Sequence, residues 1–374
     1  MESPNARYIP AVDHLRLYAA GMVLVYHGFT RFDTKLTPWP HPQHWPELLV
    51  TEGYAGVSLF MVLSGFILTY AALGKHVSYG PFLRNRALRL LPLLVVLFVV
   101  AASMSPSSMS PQLFWITLVP THTADSSVFG VAWSVFVEIE LYLMFPVLLR
   151  HLDSGGPRRL LAVLALLAGF RFAALSSGAN PYSLLYFSVF ARADQFILGM
   201  IAAWALRRYR TRLWGLLAPA GTLLVLLMLD SFSRNGGVRL ANGSGLGARW
   251  AVLSPTVEGL GFACVVLGYV ALMQGAGGAL SKALAQLGAT SYSIYLLHMV
   301  VITALVDNHV RLDLGPTPFL RSVATGVLVA LPLTLLASRL SYTLIELPFL
   351  RRRTRWIDEP PRVAPVALKV EAAS

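Results

Sequence analysis

Charge is scarce in this chain of 374 residues: Asp, Glu, Lys and Arg make up only 13%, where soluble domains carry about a quarter. With 56% hydrophobic residues and a mean hydropathy of +0.62, that scarcity excludes an ordinary soluble domain and points to a membrane protein. Cysteine is nearly absent. The one residue, Cys264, permits no intrachain disulfide and no cysteine metal cluster, and its apolar setting marks it as a small buried hydrophobe. Acids are outnumbered by bases, 18 to 30. The basic residues lie mostly between hydrophobic runs rather than on one solvated face with aromatics, which argues against a nucleic-acid partner. The N-terminal MESPNARYIP lacks the basic stretch and cleavage site of a signal peptide, so the first apolar segment is expected to stay as a span.

What is present is a series of hydrophobic runs of the length a bilayer requires. Ten candidates fall at about 11–30, 53–73, 87–104, 131–149, 160–177, 182–206, 213–230, 250–273, 283–306 and 317–340, the tenth continuing toward IELPFL. PQLFWITLV (111–119) is too short to span and reads as interfacial or re-entrant. With an inside N-terminus, the inner segments hold nineteen lysines and arginines and the outer loops six. By the positive-inside rule this predicts an all-α membrane protein of about ten transmembrane helices with both termini cytoplasmic. The outer segments 31–52 and 231–249, rich in proline, glycine and aromatics, suit loops that meet an extended polar substrate, or plain connections. The tail 357–374 is polar and proline-containing and is expected to be disordered.

Ionisable residues inside spans are costly, about 2.5–3.5 kcal/mol each on the lenient insertion scale, and so are candidates for function. In the first run, Arg16 and His27 are eleven residues apart, about 1100° of helical rotation, and therefore share one face about 16 Å apart along the axis. Asp13 lies on the same stripe. In the fourth run, Ser134, Glu138 and Tyr142 share a face at i, i+4 spacing, while Glu140 points nearly opposite. In the ninth, Ser291, Tyr295 and His298 do the same, an arrangement that also serves as helix–helix glue. Arg84, Arg86 and Arg89 precede the third run. They are read equally as positive-inside anchors or as a guanidinium cluster for phosphate. Arg171, Arg192, Asp194, Glu258, Arg321, Arg339 and Glu346 lie within or beside other runs without an assigned role.

These motifs together resemble the acyltransferase-3 family of integral membrane acyltransferases. The resemblance covers most of residues 8–356, and 1–356 is taken as one transmembrane domain. Its parts occur in order: Arg16 and His27 in YIPAVDHLRLYAAGMVLVYH, then GVSLFMVLSGFILT, FLRNRALRLLP, WSVFVEIELYLMFP, LGATSYSIYLLH and IELPFLRR. Arg-x10-His alone is a weak pattern; six ordered motifs are a strong one. The chain departs at Ile139, where a second consecutive acid is common, and at His14, where glycine is usual. Many relatives carry a further span and a secreted esterase-like domain, so transfer is expected to be completed within the membrane unit or with a separate partner.

The resemblance implies an acyl-CoA donor, acetyl in the usual case, and a hydroxyl acceptor on a glycan or glycoconjugate, in the inner membrane of the cell. It implies His27 as general base, or as an acyl carrier, with Glu138 orienting it. Arg16 or Tyr295 is implied to steady the oxyanion. Arg84, Arg86, Arg89 and Arg16 are implied to hold coenzyme A, and Ser134, Tyr142, Tyr295 and His298 to face the substrate. No metal is implied. Acylation of a small secondary metabolite such as a macrolide, or a transporter with an intramembrane polar path, stays open as an alternative.

Overall fold

The computed structural model describes residues 8–32, 45–104, 130–209, 211–234, 251–275 and 277–358. The short segment 111–119, most of the two outer loops and the tail beyond 358 lie outside them. Where described, the ten hydrophobic runs fall largely on helix. We number these helices α1 (Pro10–Phe32), α2 (Trp45–Thr51), α3 (Gly56–Ala72), α4 (Tyr79–Met104), α5 (Trp133–Gly155) and α6 (Pro157–Ser176). They continue as α7 (Val189–Arg208), α8 (Leu217–Arg234), α9 (Ser254–Leu272), α10 (Ala279–Gly288), α11 (Ser291–Asp307) and α12 (Pro318–Leu350).

Eight helical segments among the described residues are long and apolar enough to cross a membrane, and a ninth arises if α10 and α11 count as one. Helix α1 is not among the eight; its run carries Asp13, His14, Arg16, His27 and Arg31. It is nonetheless central, packing against α3, α10 and α11 and reaching α12.

Two expectations are corrected. The run at 283–306 is not one straight span: α10 and α11 meet at 62°. The break sits on α1, where a Cβ at Gly288 would lie 1.9 Å from the Asp13 carbonyl oxygen, so only glycine allows the approach. The stretch YGPFLRNRALRLLP, placed before a span by hydropathy, is already helical from Tyr79. Its basic residues interrupt the apolar run without interrupting the backbone hydrogen bonds.

Close helix contact also defines the middle of the molecule. Cβ atoms at Gly65 of α3 and Gly199 of α7 would sit 2.0 Å and 2.1 Å from the carbonyl oxygens of Phe196 and Val62. These facing glycines bring the two helices together as small residues do in membrane bundles. Helix α12 starts with Thr317 capping the Leu320 amide at 3.2 Å and Pro318 in the first turn. After it, the chain turns back beneath α4. Ile357–Asp358 pairs antiparallel with His76–Val77. Asn85 ties Thr354 down through Nδ2 to its carbonyl (2.7 Å) and through Oδ1 to its amide (3.0 Å).

Candidate active site

The helices of this bundle leave a pocket between α1, α3, α4, α5 and α11. Its polar lining is Arg16, Ser64, Arg86, Arg89, Ser134, Glu138, Tyr142, Ser291, Tyr292 and Tyr295. With its mouth included, it contains about 640 Å³ of space not filled by atoms.

At one end stand Arg16, Arg86 and Arg89. Arg16 Nη1 donates to Asp13 Oδ1 at 3.1 Å. The Arg86 guanidinium carbon lies 5.7 Å from the ring centres of Phe82 and Tyr142, and its buried Nε has no hydrogen-bond partner among the described residues. Arg84 does not join them. Two residues before Arg86 on the same helix, it is rotated away and exposed, which corrects the expectation that all three line one site. Arg353 lies near Arg86 and Arg89 without lining the pocket, in the segment held under α4 by the Asn85–Thr354 bonds. Burial and the neighbouring Arg89 and Arg86 pull its guanidinium down to about 10, the mark of crowded positive charge. The sequence offered Arg353 only as one of a run of arginines after a span.

Glu138 forms the wall between α3 and α5. Its Oε1 accepts from Ser64 Oγ at 2.5 Å and from Tyr142 Oη. This places it beside Arg86 rather than on His27, and the expected Glu138–His27 pairing is not found. Ser64, alone in the apolar VLSGF, was the missed partner.

The imidazole of His27 is met by another helix. His298 Nε2 lies 3.0 Å from His27 Nδ1, with ring centres 5.0 Å apart. The partners assign the protons. His298 Nδ1 faces the Ile294 carbonyl at 3.2 Å, and a carbonyl only accepts, so Nδ1 carries hydrogen and Nε2 a lone pair. His27 Nδ1 then faces two acceptors, that lone pair and the Val23 carbonyl at 3.0 Å, and must be the N–H. The lone pair of His27 is therefore on Nε2, the state a general base requires.

Tyr295 stands between the two regions, since neither His27 nor His298 is among the residues lining the pocket. It lines the pocket, and its ring centre is 5.9 Å from that of His298. Its hydroxyl accepts from Ser134 (2.8 Å) and donates to the Val131 carbonyl (3.0 Å), so its proton is committed to backbone. Arg16, three helical turns from His27, stands with the arginines.

Arg171, Asp194 and His14 are satisfied within the bundle. Arg171 and Asp194, both wholly buried, form a two-point pair at 3.0 Å and 2.8 Å. Arg171 donates also to Val252, Phe190 and Thr256, which occupies its full fork. His14 is satisfied between Tyr269 Oη at 3.1 Å and the Ser281 carbonyl at 2.8 Å, and so locks α1 to α9 and α10.

Residues 9–339 match the family described as Acyltransferase domain. The chain belongs to the acyltransferase-3 family. Among curated relatives, Acyltransferase MdmB of Streptomyces mycarofaciens is 26% identical across 81% of this chain and 82% of its own length. O-acetyltransferase OatA of Staphylococcus aureus (strain NCTC 8325 / PS 47) is 21% identical across 94% of this chain. A Staphylococcus aureus (strain COL) chain with a provisional O-acetyltransferase name is 22% identical across 97%. This chain spans only 58% and 61% of the lengths of those two staphylococcal proteins. No solved structure matches.

Proposed function

We propose that the protein is a membrane O-acyltransferase that moves an acyl group, acetyl in the simplest case, from acyl-CoA to a hydroxyl of a glycan or glycoconjugate. The observation that carries this reading is the arrangement around His27: a base with its proton state fixed by His298, joined through Tyr295 to a pocket that ends in guanidinium groups. Family membership and the relatives' names support acyl transfer; the donor, the acceptor and the residue roles are our reading.

In this reading both termini face the cytoplasm of an inner-membrane protein. Coenzyme A approaches the end of the pocket bearing Arg86, Arg89 and Arg16, with Arg353 nearby. Guanidinium groups suit its phosphates by charge and by fork geometry, and the unpartnered Nε of Arg86 supplies one donor. Glu138, braced by Ser64 and Tyr142, keeps Arg86 in place. The acyl-bearing arm passes Ser134 and Tyr295 toward His27. There Nε2 takes the proton of the acceptor hydroxyl as its oxygen attacks the thioester carbonyl. The C–O bond forms and the C–S bond breaks. The imidazolium returns the proton to the departing thiolate.

The experiment is transfer of label from acetyl-CoA to a pool of hydroxyl acceptors by purified protein in detergent, compared with His27→Ala. Labelled ester from the wild type alone is expected. Equal ester from the variant removes His27 from the mechanism, and no ester with any acceptor revives the transport reading.

A further inference from the structure

On the far side of His27 from the arginines lies a second group of side chains that the transfer mechanism does not use. The Tyr26 ring is 5.1 Å from His27 and 5.6 Å from Tyr54, and Tyr54 is 5.4 Å from Tyr186. Tyr186 in turn is 5.1 Å from Trp133 and stacks on Tyr182 at 6.0 Å. All five rings are partly exposed. They come from the C-terminal end of α1, the turn before α3, the first residue of α5 and the segment before α7, so one end of the bundle gathers them. Trp133 is also the residue before Ser134, the pocket wall.

Beneath the band lies Arg192, 2% exposed, its guanidinium carbon 4.5 Å from the Tyr186 ring centre and 5.4 Å from that of Trp133. Nε donates to the Tyr186 carbonyl (2.8 Å), while Nη1 donates to Ser58 (2.7 Å) and Gln195 (3.2 Å). Gln195 continues to Glu258 Oε2 at 3.0 Å. Two atoms of this network have no hydrogen bond of good geometry among the described residues: Arg192 Nη2, a donor, and Glu258 Oε1, an acceptor on a carboxylate that also lies beside the Ser58 hydroxyl. Leaving such groups buried carries a desolvation penalty, larger where charged, and a group left so calls for an explanation.

We propose that this band, backed by Arg192 and Glu258, is the acceptor subsite and that it seats a neutral sugar ring with one hydroxyl at His27 Nε2. The proposal rests on the acyl-transfer reading and deepens it. Ring faces pack against the C–H face of a sugar, and a hydroxyl both accepts and donates, which matches the orphan donor and acceptor. Turning the Tyr186 ring off the guanidinium opens the way to them.

The test is saturation-transfer NMR on the full chain in lipid nanodiscs, with neutral methyl glycosides of common hexoses and 6-deoxyhexoses and one acidic methyl glycoside as probes. Saturation of at least one neutral glycoside is expected, with the acidic one about tenfold weaker. Trp133→Ala and the near-isosteric Glu258→Gln are each expected to weaken the neutral signal about tenfold, one lost hydrogen bond or ring contact. Coenzyme A affinity is expected to change less than about twofold, well short of the tenfold step set by 1.4 kcal/mol. Absence of saturation with every neutral glycoside, or both variants binding like wild type, overturns the subsite and leaves the rings as an interfacial aromatic belt. Sugar binding without acyl transfer from any CoA thioester instead sinks the enzymatic reading and leaves the subsite standing.

Discussion

Replacing His298 with leucine removes one of the two acceptors that hold the His27 Nδ1 hydrogen and leaves the other, the Val23 carbonyl at 3.0 Å, in place. The tautomer should therefore survive, and the loss should amount to one neutral hydrogen bond, about 0.5–1.5 kcal/mol. Expressed in the barrier, that is about a two- to thirteen-fold fall in kcat. His27→Ala removes the base itself and should cost about 10²–10⁴-fold. His298→Gln, whose amide oxygen accepts a hydrogen bond, should recover part of the leucine loss. The assay is initial rate of labelled ester formation at saturating acetyl-CoA and acceptor, with both KM values measured. A positioning role moves kcat and spares the KM for CoA. If His298→Leu is as damaging as His27→Ala, the proton assignment is wrong and His298 is the group that meets substrate. An unchanged kcat would show that the second acceptor orients nothing.

Arg89→Gln should raise the KM for acetyl-CoA by about 10–150-fold, the worth of one charge-assisted hydrogen bond to phosphate, with the acceptor KM little changed; steady-state kinetics against each substrate separates the two. Asp194→Ala leaves the Arg171 guanidinium buried and uncompensated and should cost about 3–5 kcal/mol, read as a lowered midpoint of thermal unfolding in detergent. Gly65→Ala puts a Cβ where the Phe196 carbonyl oxygen lies 2.0 Å away. Parting α3 and α7 should cost about 1–3 kcal/mol, and a melting point equal to wild type would refute the close approach.

The helices were legible because each hydrophobic run must become helical to satisfy its backbone in lipid; among the described residues eight are long and apolar enough to cross, nine with α10 and α11 taken as one. The bend between α10 and α11 was not, since hydropathy is blind to a glycine whose role is contact with Asp13 of another helix. Within the site, helical spacing correctly put Ser134, Glu138 and Tyr142 on one face, and Ser291, Tyr295 and His298 on another. It was silent on which face meets which. Pairing His27 with Glu138 was what the resemblance implied; the bundle turns α11 toward His27 and α5 toward α3, so His298 and Ser64 are the actual partners. Arg353 was hidden because only the strand pairing after α12 folds it under α4.

The account depends on a thioester arriving from one face of the membrane and an acceptor waiting at the other. Proteoliposomes with a neutral methyl glycoside trapped in the lumen and labelled acetyl-CoA supplied outside test this directly. Label is predicted on the trapped glycoside, lost with His27→Ala, and absent when glycoside and thioester are both confined to the outside. Label on the same-side glycoside, or equal labelling by the variant, would contradict it.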